Sequence, residues 1–318
     1  MRQRRLWFAG VVAAVAALWL WTRHLTRTFE DRDVLVEAPP GERARIDGVE
    51  LHYIDRGTGD PLVLIHGLDA STYMWRYNID ALARDHRVVA VDLLGCGYSQ
   101  RIADADYSLA GHARRVASVM DLLGIADAVI VGHSLGGLVG LRLATDSPGR
   151  VRRLILIAPA TPSEAHALSA ARYFFPLRPI VYALAQNRAL RRRALMTLYG
   201  HPGRAADEAA DQDIKMARMV GHRRAIARLT RALARERYPD PAGVTVPTLI
   251  VWGTRDRLIR RSHVDWLVER IPHAYLLLVP GAGHMVPEER PSFTNNVIAA
   301  FASTDGPSRE ESGSDAAL

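Results

Sequence analysis

Ala128-Val-Ile-Val131 followed by Gly132-His133-Ser134-Leu135-Gly136 reads as a buried strand that runs directly into a helix, with a serine at the turn. A Cβ at either flanking glycine would crowd the turn against the neighbouring strand and helix. The serine itself is held in an unfavourable backbone region. A strained strand-to-helix turn of this kind presents a hydroxyl as a nucleophile. The five-residue pattern alone is weak, because ordinary glycine-rich turns also produce it. Its meaning depends on whether the partners of a nucleophilic serine occur elsewhere in order.

A serine hydroxyl needs a base to take its proton and a carboxylate to orient that base. Among the twelve histidines, His284 is placed for the task. Tyr275-Leu-Leu-Leu-Val279 reads as a buried strand and Pro280-Gly-Ala-Gly283 as the loop that delivers the imidazole at its carboxyl end. His66 and His133 sit inside other motifs and are expected to serve local structure. Thr248-Leu-Ile-Val-Trp252 is a further strand, and Asp256 lies in the loop at its carboxyl end. Its competing reading is a solvated aspartate capping the helix near Ser262. One strand earlier the chain reads Ala158-Pro159-Ala160, with no carboxylate available. Two backbone N–H groups must face the developing oxyanion. Leu135, directly after the serine, and Leu68, in the loop after Leu62-Val-Leu-Ile65, are the natural donors.

The segments His66-Gly67, DLLGCGYS (92–99), GHSLGG (132–137), GTRD (253–256) and GAGH (281–284) together resemble the α/β-hydrolase superfamily over roughly Glu42 to Ala302. The resemblance implies a mostly parallel β-sheet flanked by helices, a Ser134, Asp256, His284 triad, an oxyanion hole at Leu68 and Leu135, and no metal or organic cofactor. Haloalkane dehalogenases and most epoxide hydrolases of this fold attack with aspartate, so Ser134 argues against both. The implied reaction is cleavage of a small-molecule carboxylic ester or lipid through an acyl-enzyme. Carbon-carbon bond hydrolysis of ring-cleavage products, thioester hydrolysis and perhydrolase chemistry stay open. Ring-cleavage enzymes carry a more glycine-rich oxyanion loop than His66-Gly-Leu-Asp-Ala-Ser71. A membrane-tethered binding protein without catalysis is the remote alternative, disfavoured by the intact triad. Cys96, the single cysteine, reads as a small packed residue rather than a second nucleophile.

The 318 residues, 48% of them hydrophobic, suffice for one large core with an insertion. Glu42 to Ile46 and Val49 to Ile54 alternate around Asp47-Gly48, a two-residue hairpin signal that opens the sheet. Apolar runs near Leu62, Val88, Val129 and Leu154 then alternate with helical patterns, which means parallel strands covered on both faces. Strand signals stop between about 161 and 243, where a helical cap is expected over the site, and the α/β pattern resumes over 244–302. Residues 303–318 read as a disordered tail. Tyr173-Phe174-Phe175 is either a hydrophobic entrance or the packing core of the cap.

The formal charge is +7, and Lys215 is the only lysine. Between Ala160 and Gly243 fifteen basic residues face seven acidic ones, so the surplus sits in the cap. It reads as solvated helix faces or as contacts to anionic headgroups. No zinc spacing or RNP-like motif accompanies the charge, so nucleic-acid binding is not implied. Leu6 to Trp21 is an unbroken apolar run, bordered by Arg2, Arg4, Arg5 and Arg23, with Trp7 at one end and Trp19 and Trp21 at the other. It reads as a single-pass N-terminal transmembrane helix within an anchor at 1–32, with the core beginning at 33. A cleaved signal peptide is the rival, weakened by the lack of a small-residue cleavage site after Trp21. The short basic N-terminus favours a catalytic domain on the extracytoplasmic side.

Overall fold

The computed structural model describes residues 2–37, 39–160 and 187–303. In chain order it forms helix α1 (Arg2–Phe29), strands β1 (Glu42–Ile46), β2 (Val49–Arg56) and β3 (Pro61–Ile65), helix α2 (Ile79–Leu82), β4 (Arg87–Val91), α3 (Leu109–Leu122), β5 (Ala128–His133), α4 (Leu135–Asp146) and β6 (Val151–Ile157). Then follow α5 (Arg188–Met196), α6 (Arg204–Ala217), α7 (His222–Leu233), β7 (Thr248–Gly253), α8 (Arg261–Arg270), β8 (Ala274–Val279), α9 (Val286–Glu289) and α10 (Pro291–Ala302). The strands make one sheet in the order β1-β2-β4-β3-β5-β6-β7-β8. β1 and β2 are an antiparallel hairpin, β2 is antiparallel to β4, and the remaining pairs are parallel. Asp47 and Gly48 both have positive φ, 49° and 76°, the geometry that lets a two-residue turn match the twist of its strands.

Strand periodicity divides the core. Val63, Ile65, Val89, Ile130 and Leu154 point to one face, where they pack with Val116, Val119 and Met120 of α3, Leu141 of α4 and Leu267 of α8. Leu62, Leu64, Val88, Val129 and Val131 point to the other, against Ile79, Leu82, Ile298 and Phe301. Both faces are covered, which is why the central strands are continuous apolar runs rather than alternating ones. Among the described residues, helices α5 to α7 stand between β6 and β7. Residues 161–186, including Tyr173-Phe174-Phe175, and 304–318 lie outside the described residues.

The DLLGCGYS motif turns out to be a buried polar knot. Asp92 accepts from Thr72 N–H (2.6 Å) and Tyr98 N–H (2.8 Å), and its Oδ2 lies 2.7 Å from His52 Nδ1. A methyl at Gly97 would overlap the Asp92 carboxylate, so only glycine fits the return of the chain. Burial pushes the Asp92 carboxyl up, but the hydrogen bond and charge of His52, aided by Tyr98 N–H, hold it below the ordinary aspartate value. A depressed value in the folded state contributes stability above the unfolded carboxylate range, and that contribution is lost as pH falls through the folded value.

The expected transmembrane helix needs correction. Residues 2–29 do form one helix, but among the described residues no helix is long and apolar enough to cross a membrane. Sixteen residues of α1 span only about 24 Å against a hydrocarbon core of ~30 Å, and arginines border the run on both sides. Trp7, Phe8, Val12, Val15, Trp19, Leu20 and Trp21 are nonetheless exposed. The expected boundary at residue 32 also falls inside a segment that packs on the folded domain. Arg32 bridges to the turn between α6 and α7, accepting from Val220 N–H (2.8 Å) and donating to Arg218 O (3.1 Å).

Asp92→Asn should destabilise the fold by about 3 kcal/mol, because an amide puts a buried donor where the carboxylate accepts from Thr72 N–H, Tyr98 N–H and His52 Nδ1. The difference will be read as a lowered urea midpoint at neutral pH, and it should shrink as the wild-type carboxylate is titrated in acid.

Candidate active site

The β5-to-α4 turn holds Ser134 at φ 52° and ψ −115°, a left-handed conformation that costs a non-glycine residue on the order of 1–3 kcal/mol. Hydrogen bonds lock it there. Ser134 N–H donates to Ile157 O (3.0 Å), while Ser134 O accepts from Gly137 N–H (3.0 Å) and Ala160 N–H (3.1 Å). The glycines expected to relieve crowding do so. A methyl at Gly132 would overlap the Gly136 carbonyl, and one at Gly136 would overlap the Ile65 carbonyl at the end of β3. Ser134 is 7% exposed and Leu135 is buried at the first position of α4.

His284 and Asp256 meet as the sequence suggests. His284 Nδ1 lies 2.9 Å from Asp256 Oδ2, with both side chains almost fully buried. Asp256 Oδ1 accepts from Leu258 N–H (2.8 Å) and Ile259 N–H (2.9 Å). Asp256 is therefore neither solvated nor a cap of α8: one oxygen closes its own loop before that helix begins at Arg261, and the other faces the histidine. A carboxylate only accepts, so Nδ1 carries a hydrogen, and in the neutral ring the lone pair then lies on Nε2. His133 donates from Nε2 to His284 O (2.9 Å), and the two rings pack with centroids 4.7 Å apart. That contact sets the residue before Ser134 against the histidine. Burial pushes His133 down to about 3, so it is neutral and structural.

The loop after β3 closes on the same turn. A methyl at Gly67 would come 3.3 Å from Ser134 Cβ and 3.0 Å from His133 Nδ1, so the loop carrying Leu68 passes directly over the serine. His66 supports that loop as a tautomer bearing hydrogen on Nδ1: it donates to Gly67 O (2.7 Å) and accepts from Leu93 N–H at Nε2 (3.0 Å). Asp69 follows Leu68 with φ 57°. Burial raises its carboxyl to about 6, against the opposing charges of Arg191 and Arg101. Cys96 is buried, and burial together with the charge of Asp69 pushes its thiol up to about 12. It is no thiolate near neutral pH.

Two residues that the sequence reading passed over hold His284 in place. Glu289 accepts from Gly283 N–H (2.7 Å) through Oε1 and from Gly200 N–H (2.8 Å) and His201 N–H (3.1 Å) through Oε2. Glu288, nearly fully buried, accepts from Tyr199 Oη–H (2.7 Å) and from Arg76 (3.1 Å). Backbones cross closely here: His284 N–H donates to Leu198 O (2.6 Å), and a methyl at Gly283 would overlap Gly200 N and Leu198 O. The only signal in the sequence was a pair of acids set directly after Met285-Val286-Pro287.

With this geometry in hand, comparison with known proteins assigns the family. Residues 60–291 match the family model described as the alpha/beta hydrolase fold. The chain is 33% identical over 272 residues to the dihydrolipoyllysine-residue acetyltransferase component of the acetoin cleaving system of Pseudomonas putida, covering 83% of this chain and 70% of that protein. It is similar to the solved meta-cleavage product hydrolase of Pseudomonas fluorescens IP01, with TM-score 0.70, 26% identity and coverage of 82% of this chain and 97% of that one. A solved membrane phospholipase A, a bacterial virulence factor, shares the fold with TM-score 0.69 at 24% identity, over 95% of this chain and 98% of that one. The chain belongs to the α/β-hydrolase family.

Glu289→Ala should free the Gly283 N–H and loosen the loop that carries His284. The expected result is a fall in kcat of roughly 10- to 100-fold with KM changed less than about threefold, since a displaced base slows the chemical step more than binding. Steady-state kinetics on a short ester will separate the two constants.

Proposed function

We propose that this α/β-hydrolase is a serine hydrolase that cleaves a carboxylic ester, lipophilic in kind, through an acyl-enzyme. One observation carries the reading: both oxygens of Asp256 are committed, one to His284 Nδ1 and the other to backbone N–H groups, so His284 Nε2 stays available as a base beside the strained Ser134 turn. In this mechanism Ser134 Oγ forms a bond to the acyl carbon while its proton passes to His284 Nε2. The carbonyl π-pair moves onto oxygen, where Leu68 and Leu135 N–H groups receive the charge. Collapse of the intermediate expels the alcohol, which takes the proton from His284. Water, deprotonated by the same histidine, then attacks the acyl carbon, and collapse breaks the bond to Ser134 Oγ, which takes the proton back from His284 as the acid leaves. Asp256 stabilises the imidazolium in both halves.

The lipophilic character follows from α1. Trp7, Phe8, Val12, Val15, Trp19, Leu20 and Trp21 face solvent, and burying them in an interface would remove a substantial area from water at ~25 cal/mol per Å². The reading is therefore of an enzyme held at a lipid surface by an interfacial helix, acting on esters that partition there. The fold likeness to the membrane phospholipase A, which extends past the hydrolase core, is consistent with it. A second reading is carbon-carbon bond hydrolysis, favoured by the likeness to the meta-cleavage product hydrolase. The same serine and histidine would serve, with a carbon leaving group in place of an alkoxide.

Ser134→Ala should lower kcat by about 10⁶ on every ester of a panel of increasing acyl length, with the fold intact by circular dichroism. Retention of more than a few per cent of the activity would move the nucleophile elsewhere. Turnover of a dienone ring-cleavage product ahead of all esters would select the second reading. The full chain should sediment with membranes and stay there in high salt, because apolar burial is not screened. A chain beginning at Phe29 should be soluble and hydrolyse a short, water-soluble ester. Recovery of the full chain in the soluble fraction would remove the surface-binding part of the proposal.

A further inference from the structure

Helix α7 begins at Gly221, a left-handed residue with φ 84° that offers no side chain to cap the exposed N–H groups. The cap comes from 191 residues earlier in the chain. Glu30, the residue after α1, accepts from Gly221 N–H (3.0 Å) with one oxygen and from Arg223 N–H (3.0 Å) with the other. Its negative charge also stands at the positive end of the helix dipole. The chain around it is fastened on both sides. Asp31 pairs with Arg218 (2.9 Å), Glu37 with Lys215 (3.4 Å), and Val34 packs in a buried cluster with Tyr98, Met216 and Met219. Arg43 of β1 ties down the carbonyls of Val34, Leu35 (3.0 Å) and Glu37 (2.9 Å). Residues 30–37 are thus a built strap across the start of α7.

What α7 presents at that end is His222. Its imidazole is nearly buried and its Nε2 lies 3.3 Å from Asp69 Oδ1. Burial, reinforced by Arg101 and Arg191, pushes His222 down to about 3, so the ring is neutral and meets Asp69 as a close polar neighbour rather than as a cation. Arg191, which also pairs with Asp213, stands 3.9 Å from the other Asp69 oxygen. Asp69 in turn is the neighbour of Leu68, and it keeps a left-handed φ of 57° that its surroundings must impose.

We propose that Glu30 is a positioning residue for the oxyanion loop: by capping α7 it sets His222 against Asp69, and through Asp69 it aims the Leu68 N–H. The inference rests on Leu68 acting as an oxyanion donor in the reaction proposed above. It also joins α1 to the site, because the strap that ends the helix is the one that holds the wall over the serine.

The test uses the full chain in detergent micelles, with Glu30→Ala, His222→Ala and the double variant, assayed on a short water-soluble ester and by amide hydrogen exchange. Loss of a cap together with its charge should lower kcat by roughly tenfold with KM within about twofold of wild type. The double variant should be no slower than His222→Ala, since both changes break one chain of contacts. Exchange should accelerate in residues 219–226 and also in 66–72, with β5 unaffected. Glu30→Gln, which keeps one accepting oxygen, should fall between; if the alanine variant does not fold, this variant carries the exchange measurement. Unchanged exchange in 66–72, or losses in kcat that multiply in the double variant, would overturn the proposal. An inactive wild type would sink the hydrolase reading alone, because the exchange arm still decides this one.

Discussion

Everything at the candidate site depends on one steric constraint, the close passage of α4 over the end of β3. Gly136 can lie against the Ile65 carbonyl only because it has no Cβ, and that approach sets the first turn of α4 directly under the loop carrying Gly67 and Leu68. Ser134 must then turn through a left-handed conformation to pass from β5 into the helix. The strain is small beside the burial of Val129, Ile130 and Val131 on both faces of the sheet, each of which contributes ~1.5–3 kcal/mol. Packing of the sheet thus imposes the backbone of the serine, and the serine cannot relax without displacing β3 or α4.

The histidine side is organised differently. His284 and Asp256 come from two loops at the carboxyl ends of β8 and β7, and loops of this kind are mobile unless their backbone groups are satisfied. Here they are satisfied by each other and by a third segment. Arg255 N–H donates to Ala282 O (2.8 Å), Gly281 N–H to Thr254 Oγ1 (2.9 Å), and Glu289 gathers the N–H groups of Gly200, His201 and Gly283. Charge-assisted bonds to backbone N–H are about twice as strong as neutral ones. The helices between β6 and β7 are therefore joined to the loops that carry Asp256 and His284 as well as lying near them, so a change in α5 to α7 would be felt at His284 and, through His222, at Asp69.

How much of this could be read in the sequence follows the range of the interactions. The Asp47-Gly48 hairpin, the Ser134 turn and the strands that deliver Asp256 and His284 are set by residues within ten positions of one another, and period and turn chemistry report them directly. The Asp92 motif was visible as a pattern, but its meaning needed His52, forty residues earlier, which no local period connects to it. Glu289 and Glu30 are further cases: each satisfies backbone groups about 90 and 190 residues away, and a backbone N–H leaves no mark in a sequence. The N-terminal run was legible as a helix. The run does not make a membrane span, because an apolar composition marks burial in some apolar phase without requiring one. The polar residues that follow it belong to the folded domain: Glu30 caps α7, Asp31 pairs with Arg218 at the end of α6, and Arg32 pairs with Glu37.

The central claim is that the imposed backbone at residue 134 makes its hydroxyl the nucleophile. The most direct measurement is reaction of the full chain with a fluorophosphonate, followed by digestion with trypsin and mass mapping of the peptide 116–142. The account predicts a single phosphonyl group on Ser134, formed at a rate that falls when His284 is replaced by alanine. Labelling at another residue, with peptide 116–142 unmodified, would contradict it.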